Sequence, residues 1–180
     1  MSETKDGDGQ TEDLIQRLKQ ALDALQSAKL ADWRRRVAVG DLLTDRAENA
    51  AKMGFGEGTT CYDNVLVIGS VKVGKHTWIG PNVILDGSGG LEIGDYVSIS
   101  AGVHIYTHDT VKWATSMGRE QAETSPTKIG SGVYIGPNTV ISRGVTVGDR
   151  AVIGAMSLVN KDVPGGSKAW GTPARLAGTI

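Results

Sequence analysis

The chain has 180 residues, 39% of them hydrophobic and 22% charged, with 25 glycines and a single phenylalanine. This excludes a disordered protein over most of the length and requires a core filled by Val, Ile and Leu rather than by aromatics. Nineteen Lys and Arg against 20 Asp and Glu leave a formal net charge of −1, so no long-range field favours nucleic acid and no such binding is expected.

Residues 1–13 carry five acids against Lys5 and read as a disordered acidic tail. From Asp13 onward, Leu14, Leu18, Ala21, Leu22, Leu25 and Ala28 recur at three- and four-residue steps, with Gln16, Lys19, Gln20 and Asp23 between them, which predicts an amphipathic helix. Its polar face lacks the Lys and Arg run of a membrane-surface helix. Residues 32–55 read as one or two further short helices, with Arg34, Arg35 and Arg36 as a solvated face, so 14–58 is taken as a helical N-terminal segment. Cys61 has no partner for a disulfide, the amino terminus is polar, and no stretch reaches the roughly 18 apolar residues that span a bilayer. A cytoplasmic protein without membrane insertion is expected.

Beyond residue 59 the pattern changes to a repeat. Aliphatic residues recur every six positions at Val67, Val73, Ile79 and Leu85, and after a two-residue slip at Ile93, Ile99 and Ile105. The count resumes in phase at Ile129 and continues through Ile135, Ile141, Val147, Ile153 and Val159. Four residues after most of these stands a small or β-branched residue, such as Thr77, Val83, Val103, Val133, Thr139, Ala151 and Ser157. A period of six fits a short strand followed by a turn, with one large and one small residue pointing inward. Three such units close a triangular coil of about 18 residues, and stacked coils pair their strands in parallel. Glycine directly after the aliphatic residue, as at Gly74, Gly80 and Gly136, and corner dipeptides such as Pro81-Asn82 and Pro137-Asn138 are read as the source of the backbone freedom that the corners need. The fold class is therefore an all-β solenoid of hexapeptide repeats over 59–166, with an N-terminal α-helical segment, one extruded loop at 109–126 and a C-terminal segment at 167–180.

The loop leaves the solenoid directly after Ile105-Tyr106-Thr107-His108 and returns in phase, and long ordered loops on rigid scaffolds tend to be functional. A neutral imidazole at that corner is suited to taking up a proton near neutral pH. His108 is the candidate catalytic base. His76 and His104 are read as surface residues, and Cys61 as a buried or incidental thiol.

The repeat phase, the Tyr106-Thr107-His108-Asp109 loop mouth, the segment Val133-Tyr134-Ile135-Gly136-Pro137-Asn138, and Lys161-Asp162-Val163-Pro164 followed by Gly171-Thr172-Pro173-Ala174-Arg175 together resemble the hexapeptide-repeat acyltransferases with a left-handed parallel β-helix. More narrowly, residues 60–176 look like the coenzyme A-dependent sugar O-acetyltransferases. The resemblance implies left-handed coils, a homotrimer with active sites between subunits, acetyl-CoA as co-substrate, and transfer of an acetyl group to a hydroxyl of a sugar or polysaccharide precursor, with His108 as general base. It also implies coenzyme contacts from Tyr134 (tryptophan in many relatives), Ala155, Asn160, Lys161 and Arg175, and an acceptor contact from Asn82. In the loop, Trp113 offers a ring on which a sugar stacks. No metal is expected.

Rival readings are an N-acetyltransferase acting on an amino sugar or sugar nucleotide, a γ-type carbonic anhydrase, and a non-catalytic β-helix scaffold. The second needs three histidines at a subunit interface, and the chain has three. His104 and His108, however, are four apart where that family's pattern has five, and the long loop has no use there.

Overall fold

The computed structural model describes residues 5–180, which divide after Asp45 into two compact units. The first contains helix α1, Lys5–Trp33, and the short helix α2, Val39–Leu43. Residues 1–4 of the expected acidic tail lie outside the described residues, whereas 5–13 are the first turns of α1 rather than a tail. No proline interrupts the run, and Asp13 pairs with Arg17 one turn on at 3.7 Å. Gln26 holds the reversal between the two helices: its Nε2 donates to the Arg35 carbonyl at 3.0 Å and its Oε1 accepts from the Val37 N–H at 3.2 Å.

The second unit begins with helix α3, Arg46–Lys52, and continues as the solenoid. Ala50 on α3 and Phe55 just beyond it are buried, and Asn49 donates to the Cys61 carbonyl at 3.2 Å, so α3 caps the apolar end of the first coil. Thereafter strands stack in parallel on three faces. The first face carries Thr60–Cys61, Trp78–Ile79, Ser98–Ile99, Tyr134–Ile135, Val152–Ile153 and Ser167–Gly171. On the second, Leu66 pairs with Ile84, Ile84 with His104, His104 with Val140 and Val140 with Leu158. On the third, Lys72 pairs with Glu92, Glu92 with Lys128 and Lys128 with Thr146. The far end is closed by Ala174–Thr179, which folds back antiparallel on Ser167–Gly171.

The repeat aliphatics expected to point inward do so from Val73 onward, with Ile79, Leu85, Ile105, Ile135, Ile141, Val147, Ile153 and Val159 all buried, whereas Val67 in the first coil is only partly buried against the same core. Each contributes roughly 1.5–3 kcal/mol of transfer free energy before chain entropy is subtracted. Inward threonines satisfy the corners, with Thr77 and Thr139 donating to the Gly94 and Gly154 carbonyls at 3.0 Å. Among the described residues no buried side-chain polar atom lacks a partner.

The corners correct one expectation. The glycine after each repeat aliphatic is not the residue that turns the chain. The left-handed backbone falls two residues later, at His76, Asn82, Tyr96 and Asn138 with φ between 53° and 57°. The glycine is needed for close approach instead, since a Cβ on Gly136 would stand 2.5 Å from the Ala155 nitrogen of the next coil.

Outward residues make the three faces chemically different. The second face shows Leu66, Ile84, His104, Val140 and Leu158, an apolar ladder broken only by a histidine. The third shows Lys72 and Lys128 flanking Glu92, each 3.6 Å from it, which is a solvent face. Among the described residues no helix is long and apolar enough to cross a membrane.

Candidate active site

The corner between the second and third faces holds a hydrogen-bonded polar cluster. His104, Tyr106 and His108 alternate with the buried Val103, Ile105 and Thr107, so all three project from the same side of the chain. The Tyr106 hydroxyl lies 3.4 Å from His104 Nδ1, and its ring meets His108 edge-on with centroids 6.5 Å apart.

His108 Nδ1 lies 2.6 Å from Asp86 Oδ2, on the preceding coil. Asp86 is fully buried, while a third of the His108 side chain is exposed. Burial pushes the Asp86 carboxyl up, but it accepts hydrogen bonds from Ser88 Oγ at 2.5 Å, Thr107 N–H at 2.9 Å, His108, and Ser88 N–H at 3.0 Å. These win, and hold Asp86 far below the usual carboxylate range. An ionised carboxylate can only accept, so Nδ1 carries a hydrogen and the neutral form of the ring is the tautomer with its lone pair on Nε2. Gly89 makes this packing possible: a Cβ there would stand 2.6 Å from the Thr107 carbonyl oxygen.

The extruded loop starts as a ribbon, His108–Asp109 pairing antiparallel with Glu123–Thr124, and carries a short helix α4, Val111–Thr115. Its base is tied by ion pairs to Arg143, on the coil after the loop's return. Arg143 Nε donates to Asp109, Arg143 Nη2 to Glu123 Oε2 at 2.8 Å, and Lys112 Nζ lies 2.7 Å from Glu123 Oε1. The Arg143 hydrogen bond lowers the Asp109 carboxyl, and Glu123 raises the Lys112 ammonium.

Sequence reasoning missed Asp86 and Arg143. Asp86 lies in Leu85-Asp86-Gly87-Ser88, the start of the two-residue slip, and that local break in the repeat was the signal available.

The other candidates fall in four places. Asn160, Lys161 and Arg175 line one cleft of about 270 Å³ at the last coil, together with Asp162 and Leu176. Asp162 is occupied by the Thr146 N–H at 2.8 Å, while Lys161 and Arg175 form no ion pair among the described residues. Tyr134 and Ala155 are exposed on the first face and at its following corner. Trp113 is exposed on α4. Asn82 stands at the corner between the first and second faces, where it exchanges amide hydrogen bonds with Asn64 (2.9 and 3.2 Å), so one chain does not bring it to His108. His76 stacks on Tyr96 at another corner, and among the described residues no three His, Cys, Asp or Glu side chains are grouped to hold a metal ion.

Comparison with known proteins agrees with this architecture. Residues 70–107 match the hexapeptide repeat of succinyl-transferase, and 126–161 the bacterial transferase hexapeptide (six repeats). Galactoside O-acetyltransferase of Escherichia coli K12 is 35% identical over 107 residues, 59% of this chain and 43% of that protein. Nodulation protein L of Rhizobium meliloti is 37% identical over 109 residues, 61% of this chain and 60% of its own length. A hexapeptide-repeat acetyltransferase of Vibrio cholerae, solved with acetyl-coenzyme A, is 29% identical with a TM-score of 0.67, covering 92% of this chain and 88% of that one. A galactoside acetyltransferase solved with coenzyme A gives 26% and 0.68, over 91% and 79%. The chain carries the hexapeptide repeats of the bacterial transferases and shares the β-solenoid fold of these solved hexapeptide-repeat acetyltransferases. The matched region spans about half the length, or less, of several of the curated relatives.

Proposed function

We propose that the protein is an acetyl-CoA-dependent acetyltransferase acting on a hydroxyl of a sugar or polysaccharide precursor, with His108 as general base. The observation that carries this reading is the 2.6 Å contact of His108 Nδ1 with buried Asp86, which leaves Nε2 as a proton acceptor at the mouth of the loop. The acceptor hydroxyl gives its proton to Nε2 as its oxygen bonds to the thioester carbonyl carbon. The C–S bond then breaks, and the departing thiolate takes the proton back from the imidazolium. Trp113 supplies a face for a sugar ring. Curated relatives carry names ranging from a galactoside O-acetyltransferase to serine acetyltransferases, so a panel of sugars, sugar nucleotides, amino sugars and serine, assayed with acetyl-CoA, tests the acceptor. Turnover of the serine or amine members with none of the sugars would overturn the sugar-hydroxyl assignment.

The nucleotide end of the donor is assigned to the cleft of Asn160, Lys161 and Arg175, where two cations stand free for phosphate, with Tyr134 and Ala155 along the approach. Lys161→Ala and Arg175→Ala are expected to raise the Michaelis constant for acetyl-CoA more than that for the acceptor, and to do so less with a dephospho-coenzyme A donor. Unchanged donor constants in both variants would sink this placement.

The apolar second face supports a homotrimer with His108 beside a subunit boundary, an arrangement that would also let Asn82 of a neighbouring subunit serve the acceptor. Light scattering at micromolar concentration should report three times the 18.9 kDa chain mass, and a monomer would remove both the trimer and the shared site.

A further inference from the structure

His108 is flanked by a second charged group that the reaction outlined above does not use. Asp109, its neighbour in the chain, is engaged by Arg143 from the following coil, and the same guanidinium binds Glu123 across the ribbon. Arg143 thus bridges both strands of the ribbon on which the loop stands, and Lys112 on α4 extends the chain of charges through Glu123. The imidazole is held on one side by Asp86 through its own ring, while on the other side the network fixes the backbone that carries it.

We propose that Arg143 is a positioning residue: it latches loop 110–126 to the solenoid and keeps the Asp109 carboxylate charge-balanced beside His108. The planar fork of arginine reaches two carboxylates at once, which a point charge does not. Arg143, Asp109 and Glu123 are each about a third exposed, so the latch is a network of partly screened pairs and weakens with salt. The charged and titratable groups around His108 are Asp86 on the coil before, Asp109 on its own strand, Tyr106 and His104 just before it in the chain, Arg143 on the coil after, and Glu123 with Lys112 from the loop. Asp86 is bonded to the ring itself and its charge does not depend on Arg143. Asp109 loses its counter-charge when Arg143 is removed, and an uncompensated carboxylate then favours the protonated imidazole.

The test reads the ring and the loop rather than turnover, so its outcome stands apart from the catalytic assignment of His108. Ring resonances of the histidines, followed by NMR against pH and assigned through His108→Ala, give the His108 midpoint. In Arg143→Gln the midpoint should rise by roughly half a pH unit, and Asp109→Asn in the same background should bring it back. Trypsin should cut the loop at Lys112 and Arg119 about tenfold faster in Arg143→Gln than in the wild type. Arg143→Lys, which keeps the charge without the fork, should hold the midpoint near wild type while still loosening the loop, and guards against a variant that merely misfolds. A midpoint unchanged in Arg143→Gln, or a loop cut at the wild-type rate, overturns the proposal.

Discussion

Replacing His108 by alanine is expected to lower turnover by roughly 100- to 10,000-fold, the usual contribution of a positioned general base. Affinity for acetyl-CoA should stay near its wild-type value, because Asn160, Lys161 and Arg175 line a cleft at the last coil while His108 stands at the loop mouth. The acidic limb of the pH–rate profile should vanish with the imidazole, leaving the rate due to positioning alone. His76→Ala is the control, since His76 stacks on Tyr96 at a corner without a loop and should leave activity nearly intact. Steady-state kinetics on folded variants decide the matter. A His108→Ala enzyme within about threefold of wild-type turnover would make the histidine structural, well short of the loss a general base implies.

Asp86→Asn should be costly in two separable ways. An amide keeps one accepting oxygen but sets an N–H₂ against donors in either orientation, the Ser88 N–H at the Oδ1 site or the Thr107 N–H and the His108 ring at the Oδ2 site, where Asp86 is fully buried. The stability loss at neutral pH is expected to be on the order of 3 kcal/mol. Turnover should fall as well, because the imidazole loses the acceptor that fixes its tautomer. Asp86 has a folded value below its unfolded one, so in the window between them the unfolded chain binds more protons and stability rises with pH. The carboxylate's contribution is therefore fully present above the unfolded value of about 4 and is lost as pH falls through the folded value. Thermal unfolding of wild type and Asp86→Asn across pH should show a gap that is widest near neutrality and narrows below about pH 4. A constant gap would mean that Asp86 stays charged in neither state or in both.

The amino-acid sequence by itself determined the solenoid. A period of six admits few structures, and each aliphatic position from Ile79 to Val159 has to be buried for the coils to close, so the core was legible residue by residue. It also marked His108, because an interruption that preserves phase identifies where the scaffold opens. The coenzyme candidates Asn160, Lys161 and Arg175 came from resemblance, and the fold gathers them in one cleft. What the sequence did not disclose is everything that depends on one coil lying against another. The hydrogen bond from His108 to Asp86 spans 22 residues, and the one from Arg143 to Asp109 spans 34. Those separations depart from a clean 18-residue coil through the slip and the loop, so the repeat could not be used to place the partners side by side. The role of the corner glycines was misread for the same reason. Whether a glycine supplies a left-handed φ or only room for the next coil depends on the backbone stacked against it, and at Gly136 that is the nitrogen of Ala155. Local spacing decides which residues face inward; only stacking, which brings distant backbone and carboxylates within hydrogen-bonding range, decides which corner becomes a site.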